Sequence, residues 1–316
     1  MIPRLSLTET KKTNIFVLLI ILAQIAVSFL EPYISAFLPD FYPALQISYH
    51  LMVFGIPIAL YLLVAKEGAV EPLSLRKAGF ANILVIVLIS FAMQPVLSVF
   101  SFLGSLVFKN NVASTLIQNQ QISTGWMLLS MAFFPAVLEE LCYRGIVLHG
   151  YRRLSPLKAC VMSGFLFGLM HFSAQQFLYA FFFGIILGYF VYKTGSIFAS
   201  IVSHLTINAS QILFSRLLMN VALEEGYPLA DSISSIDQAG AASTLFYLFA
   251  AVLFVSPFLL LFFWIFEKLN KDNPILGHGT SEKGGERAFD ASVAAIIILY
   301  IAIAIVPELM FYISGH

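Results

Sequence analysis

Nine runs of mostly apolar residues follow one another along the chain, at about 14–30, 47–65, 81–107, 125–151, 157–173, 176–192, 196–217, 244–266 and 291–311. A helix needs roughly 20 such residues to cross the hydrocarbon of a bilayer. Composition agrees: 59% of residues are hydrophobic and only 11% charged, against about 25% charged in soluble domains. The reading is an all-α polytopic membrane protein, a bundle of about nine transmembrane helices around an intramembrane polar cavity. The first run follows Lys11 and Lys12 and is longer than a usual signal-peptide core, so it reads as a retained span.

Basic residues orient the bundle, because Lys and Arg favour the inner side of a membrane. With the N-terminus inside, the inner segments hold Arg4, Lys11, Lys12, Lys66, Arg76, Lys77, Arg152, Arg153, Lys158, Lys193, Lys268, Lys271, Lys283 and Arg287. The outer segments hold Lys109 and Arg216. This fourteen-to-two bias predicts an N-in/C-out topology. Residues 1–123 then carry spans one to three, 124–217 spans four to seven, and 218–316 an acidic outer loop with the last two spans. The segment 66–80 reads as a short amphipathic piece on the inner surface. The loop 218–243 reads as solvated, and 270–288 as a polar, Gly-rich linker.

A net charge of zero argues against nucleic acid as a partner. Cys142 and Cys160 have neither disulfide nor metal-site spacing and read as packing residues. Gly164, Gly168, Gly184 and Gly188 form two GxxxG steps in adjacent spans, which lets helix backbones approach closely.

Ionisable groups inside spans are costly and mark function by default. The fourth span holds Glu139, Glu140 and Arg144, the fifth His171, and the seventh His204 with Asn208. Residues four apart share a helix face, so Glu140 can pair with Arg144 and neutralise itself. Glu139 points about 100° away and is left for chemistry. His204 and Asn208, also four apart, could donate hydrogen bonds to one oxygen, as an oxyanion hole requires. At 1.5 Å per residue, Glu139, His171, His204 and Asn208 lie ~18, ~21, ~12 and ~18 Å from the inner ends of their spans, close to one level in ~30 Å of hydrocarbon. His149 reads as a surface residue, and His50, Glu308, His278 and His316 as residues of span ends or tails.

These are the parts for activating water against a carbonyl. Glu139 would take a proton from water that His171 also holds, which needs hydrogen-bond reach and a tuned pKa. His204 and Asn208 would stabilise the tetrahedral oxyanion. No cofactor is required. A zinc version with Glu139, His171 and His204 as a two-histidine, one-carboxylate set stays open, although HExxH is absent.

The order EExxxR (139–144, EELCYR), FxxxH (167–171, FGLMH) and HxxxN (204–208, HLTIN) resembles the type II CAAX prenyl protease and bacteriocin-processing family, the Abi-like CPBP intramembrane glutamate proteases. The resemblance covers about 125–215. It implies an intramembrane endopeptidase with Glu139 as base, His171 orienting the water, His204 and Asn208 as oxyanion donors, and Glu140 and Arg144 in support. It implies a membrane-associated protein or peptide substrate, with or without a lipid group. With no organelle signal in view, the preferred setting is a bacterial plasma membrane. Two other readings use the same residues: a non-catalytic immunity or scaffold protein, and a proton-coupled transporter with Glu139 and His171 as a relay. No inverted repeat of the transporter kind is visible.

Overall fold

A computed structural model describes residues 8–37, 42–64, 71–108, 115, 119, 121–224, 238–273 and 287–314, and among these there is no β-strand. The described helices are α1 (Glu9–Phe37), α2 (42–64), α3 (Phe80–Ser105), α4 (Thr124–Gly150), α5 (Pro156–Leu169), α6 (Ala174–Thr194), α7 (Ile197–Glu224), α8 (Gln238–Leu269) and α9 (291–313). Eight are long and apolar enough to cross a membrane. The protein is an all-α polytopic membrane protein, as its apolar runs dictate.

The exception in length is α5. It has 14 residues and rises about 21 Å, short of ~30 Å of hydrocarbon. The run 157–173 is therefore not helical throughout, and His171 sits in a turn rather than in a span. Local chemistry explains the reversal. Phe172 takes a left-handed backbone with φ 44°, and Ser173 is extended, its hydroxyl accepting the Gln176 N–H at 3.3 Å to cap α6. At its other end α6 stops at Gly195, whose φ of 67° suits a residue without Cβ.

Two connections differ from the sequence reading. Among 71–79 no helix forms: residues 71–74 make a turn, and Ser74 and Gly79 have positive φ, which an amphipathic helix cannot accommodate. The Ser74 carbonyl accepts the Ile197 N–H at 3.0 Å, tying this strip to the start of α7. The α7 helix runs on to Glu224, so the acidic loop does not begin at 218. Residues 225–237, half of that loop, 274–286, most of the Gly-rich linker, and 66–70 lie outside the described residues.

Two large apolar cores hold the bundle, with a small third one of Met127, Ala132 and Ile212 between α4 and α7. One joins α1, α2, α4, α5, α6 and α9 around Val17, Phe54, Ile146, Phe167, Val191 and Ile296. The other joins α3, α6, α7 and α8 around Ile89, Met93, Phe190, Ile207 and Phe266. Polar bonds link helices within these cores, as lipid-embedded bundles use them: Ser90 to Ser203 at 2.8 Å and Gln175 Nε2 to Ser101 Oγ at 2.8 Å. Wide π-turns interrupt α2 at Leu51–Gly55 and α4 at Leu128–Phe133 and Leu141–Val147. The last begins directly after Glu140.

The GxxxG glycines do what the spacing suggests. A Cβ built on Gly184 would stand 2.7 Å from the Gly164 Cα, and one on Gly164 would stand 2.8 Å from the Ile185 nitrogen and the Phe181 carbonyl oxygen. The α5 and α6 backbones are in direct contact there. Gly184→Ala is expected to lower stability by about 1–3 kcal/mol through overpacking, measured as an earlier thermal unfolding midpoint in lipid nanodiscs. Gly125→Ala, where an added Cβ meets nothing within 4 Å, is expected to leave the midpoint unchanged.

Candidate active site

The site grows from a buried ion pair in α4. Arg144 Nη1 donates to Glu140 Oε1 at 2.8 Å, and both side chains are fully buried. Arg144 Nη2 donates to the Gly184 carbonyl at 3.1 Å. That reach exists because residue 184 lacks a side chain, as a Cβ there would stand 3.0 Å from Nη2. The guanidinium also lies over the Phe167 ring, 4.1 Å from its centroid, which fits a planar cation weakly hydrated in a dry place.

Glu140 has a second partner. His204 Nδ1 lies 3.0 Å from the same Oε1 that Arg144 holds. A carboxylate paired to arginine is an acceptor only, so the His204 Nδ1 carries a hydrogen and donates. Glu140 thus fixes the His204 tautomer and turns Nε2 the other way, the arrangement by which a buried carboxylate orients a catalytic imidazole. Phe183 and Phe167 pack edge-on against the His204 ring, with centroids at 5.6 and 5.9 Å.

Phe167 is the hub of this arrangement. It is 1% exposed. Its ring meets Arg144, His204, Tyr143 and, at 4.9 Å, His171. Its carbonyl accepts from His171 Nδ1 at 2.7 Å. A carbonyl demands a donor, so the His171 Nε2 is left as the acceptor in the neutral ring. The turn bearing His171 is anchored from both sides. Gln24 of α1 donates to the Met170 carbonyl at 2.8 Å, and Tyr300 of α9 to the Ser173 carbonyl at 3.3 Å.

Glu139 points away from the Glu140 pair and is 7% exposed. Its Oε1 lies 3.5 Å from His50 Nε2, on α2. His50 is therefore not an idle span-end residue. His171 and His204 also contribute to the electrostatic field at Glu139. Asn208 lies one turn along α7 from His204, and its Nδ2 donates to the Met131 carbonyl in the first π-turn of α4 at 3.3 Å. One of its two amide hydrogens is thus committed to the backbone. His149 lies at the C-terminal end of α4, where with Glu71, Arg76, Arg144 and Arg152 it lines a cavity of ≈ 110 Å³. Among the described residues, no group of three or more His, Cys, Asp or Glu side chains could hold a metal ion.

Several buried polar atoms are left over. Glu140 Oε2, Arg144 Nε and the Tyr143 hydroxyl make no hydrogen bond with the described protein atoms. Such atoms are rare in protein interiors and cluster where function imposes them. Residues 121–210 match the family model described as type II CAAX prenyl endopeptidase, Rce1-like. The matched segment opens just before α4 and closes in α7, so it contains every residue of the three motifs, while His50, Gln24 and Tyr300 fall outside it. No curated protein and no solved structure matches the chain.

His50 is the site residue that motif reading passed over, and its one signal was an ionisable side chain at the edge of an apolar run. Phe167 and Gly184 stood in the FxxxH and GxxxG motifs, whose reading gave them no part in holding Arg144. Removing one member of the buried pair leaves the other charge stranded, at a cost of about 3–5 kcal/mol. Arg144→Met and Glu140→Gln are each expected to destabilise the protein by this amount, and the double variant by less than either, measured by thermal or denaturant unfolding in detergent.

Proposed function

We propose that the chain is an intramembrane endopeptidase of the CAAX-protease kind, hydrolysing a peptide bond of a membrane-associated substrate. Glu139 takes a proton from water as that water attacks the carbonyl carbon, and His171 holds the same water through Nε2. His204 and Asn208 stabilise the oxyanion of the tetrahedral intermediate. The Glu139 proton then passes to the departing amine nitrogen as the C–N bond breaks. No metal takes part in these steps, and the setting is a bacterial plasma membrane.

The observation that carries the reading is the division of the paired glutamates. Glu140 is spent on Arg144 and His204, while Glu139 is turned from that pair toward the His50 imidazole. A structural ion pair needs one carboxylate, and the second has no packing purpose in a dry site. The match of 121–210 to prenyl endopeptidases supports the same class. With Glu140 accepting from Nδ1, the Nε2 of His204 is the nitrogen left for the oxyanion, to which it donates when it carries a hydrogen. The second amide hydrogen of Asn208 is its partner.

The probe is an internally quenched peptide ending in a CAAX sequence with a prenylated cysteine, added to the purified protein in liposomes. Cleavage of one bond, located by mass spectrometry, is expected. Asn208→Ala is expected to lower kcat about 100-fold, the usual loss for one oxyanion donor. Intact peptide with folded wild-type protein, across a panel of prenylated and unprenylated sequences, would favour the scaffold reading instead.

A further inference from the structure

His50 stands beside the carboxylate that the proposed reaction uses, and it comes from a helix that no motif marks. It is 8% exposed, with its ring stacked on Phe54 and edge-on to Tyr49. Its Nδ1 lies 2.8 Å from the Gln46 carbonyl. A carbonyl accepts only, so Nδ1 carries a hydrogen, and in the neutral ring Nε2 presents a bare lone pair. That lone pair faces Glu139 Oε1 at 3.5 Å. Two acceptors turned toward each other leave a place for one proton between them. The gap is about half an ångström longer than a formed N···O hydrogen bond, within reach of a small side-chain adjustment.

Both partners adjoin π-turns. His50 immediately precedes Leu51–Gly55, and Glu139 lies just before Leu141–Val147. Such turns re-aim side chains and recur at functional sites. The titratable groups that interact with Glu139 are His50 and Tyr49 of α2, His171 in the α5–α6 turn, Tyr179 of α6, His204 of α7, and Cys142, Tyr143 and Arg144 of its own helix. Among these, His50 is the one whose side chain lies within salt-bridge distance of the Glu139 carboxylate.

We propose that His50 is the positioning residue for the proton that Glu139 takes from water. This rests on the hydrolytic reading above. As the water O–H bond breaks, its proton moves to the Glu139 carboxylate and the hydroxide oxygen bonds to the carbonyl carbon. The new Glu139 O–H donates to His50 Nε2 and is held there through the life of the tetrahedral intermediate. When the C–N bond breaks, the amine nitrogen takes that proton, and Glu139 and His50 return to their starting forms. His50 touches neither substrate nor water in these steps.

The test compares His50→Phe and His50→Gln in the full-length protein in lipid nanodiscs, with the prenylated CAAX peptide as substrate. Phenylalanine keeps the ring and its contact with Phe54, while glutamine keeps an acceptor for Glu139. His50→Phe is expected to lose about 100-fold in kcat with KM unchanged, and His50→Gln to stay within about tenfold of wild type. A His50→Phe enzyme as fast as His50→Gln or wild type would overturn the proposal. Infrared spectroscopy gives a second arm that needs no substrate. The protonated-carboxyl band that Glu139→Gln removes at acid pH is expected to move in His50→Phe, and an unmoved band would contradict the pairing. If Glu139→Gln cleaves the peptide at the wild-type rate, the base reading itself fails. If Glu139→Gln is inactive while His50→Phe behaves as wild type, this inference alone fails.

Discussion

A buried arginine organises the site. Arg144 is 1% exposed, so its charge must be met largely by protein, and four features of the structure answer that demand. Glu140 supplies the countercharge, Gly184 a carbonyl, Phe167 an aromatic face, and the close approach of α5 and α6 the space for all three. Each of these has a second consequence. Glu140 orients His204, and Phe167 holds His171 by its carbonyl while touching both histidine rings. The cation is the keystone around which the acidic and basic side chains take their places.

Burying an ion pair rarely stabilises a protein compared with an apolar replacement. Its value here is positional. The pair sets the tautomer of one imidazole and removes Glu140 from competition with Glu139. It also leaves polar atoms unsatisfied, including Arg144 Nε and Glu140 Oε2. A fold built only for stability would have replaced such a group with leucine. The unspent hydrogen-bonding capacity lies next to the residues assigned to chemistry.

Much of this was legible in the sequence, because helices in lipid have a fixed geometry. Eight of the nine apolar runs are described helices long enough to cross a membrane, and the spacing from Glu140 to Arg144 foretold their contact. The GxxxG steps announced the α5–α6 approach. What stayed hidden depends on backbone reversal and on contacts far apart in sequence. Nothing in FGLMHFS says that the chain turns at His171, since the turn rests on the left-handed Phe172 and on anchors from Gln24 and Tyr300. The nearness of His50 to Glu139 depends on how α2 leans against α4, which no single-helix argument reaches. The helix-face rule likewise separated Glu139 from Glu140 without saying that His204 would join Glu140.

The division of labour between the two glutamates is the claim on which the functional reading stands. Its most direct test is to measure peptide hydrolysis and unfolding free energy side by side for Glu139→Gln and Glu140→Gln. The expected result is a Glu139→Gln protein that is fully stable and inactive beside a Glu140→Gln protein that is markedly less stable. A Glu139→Gln protein that still hydrolyses the peptide, or that unfolds while Glu140→Gln does not, would contradict it.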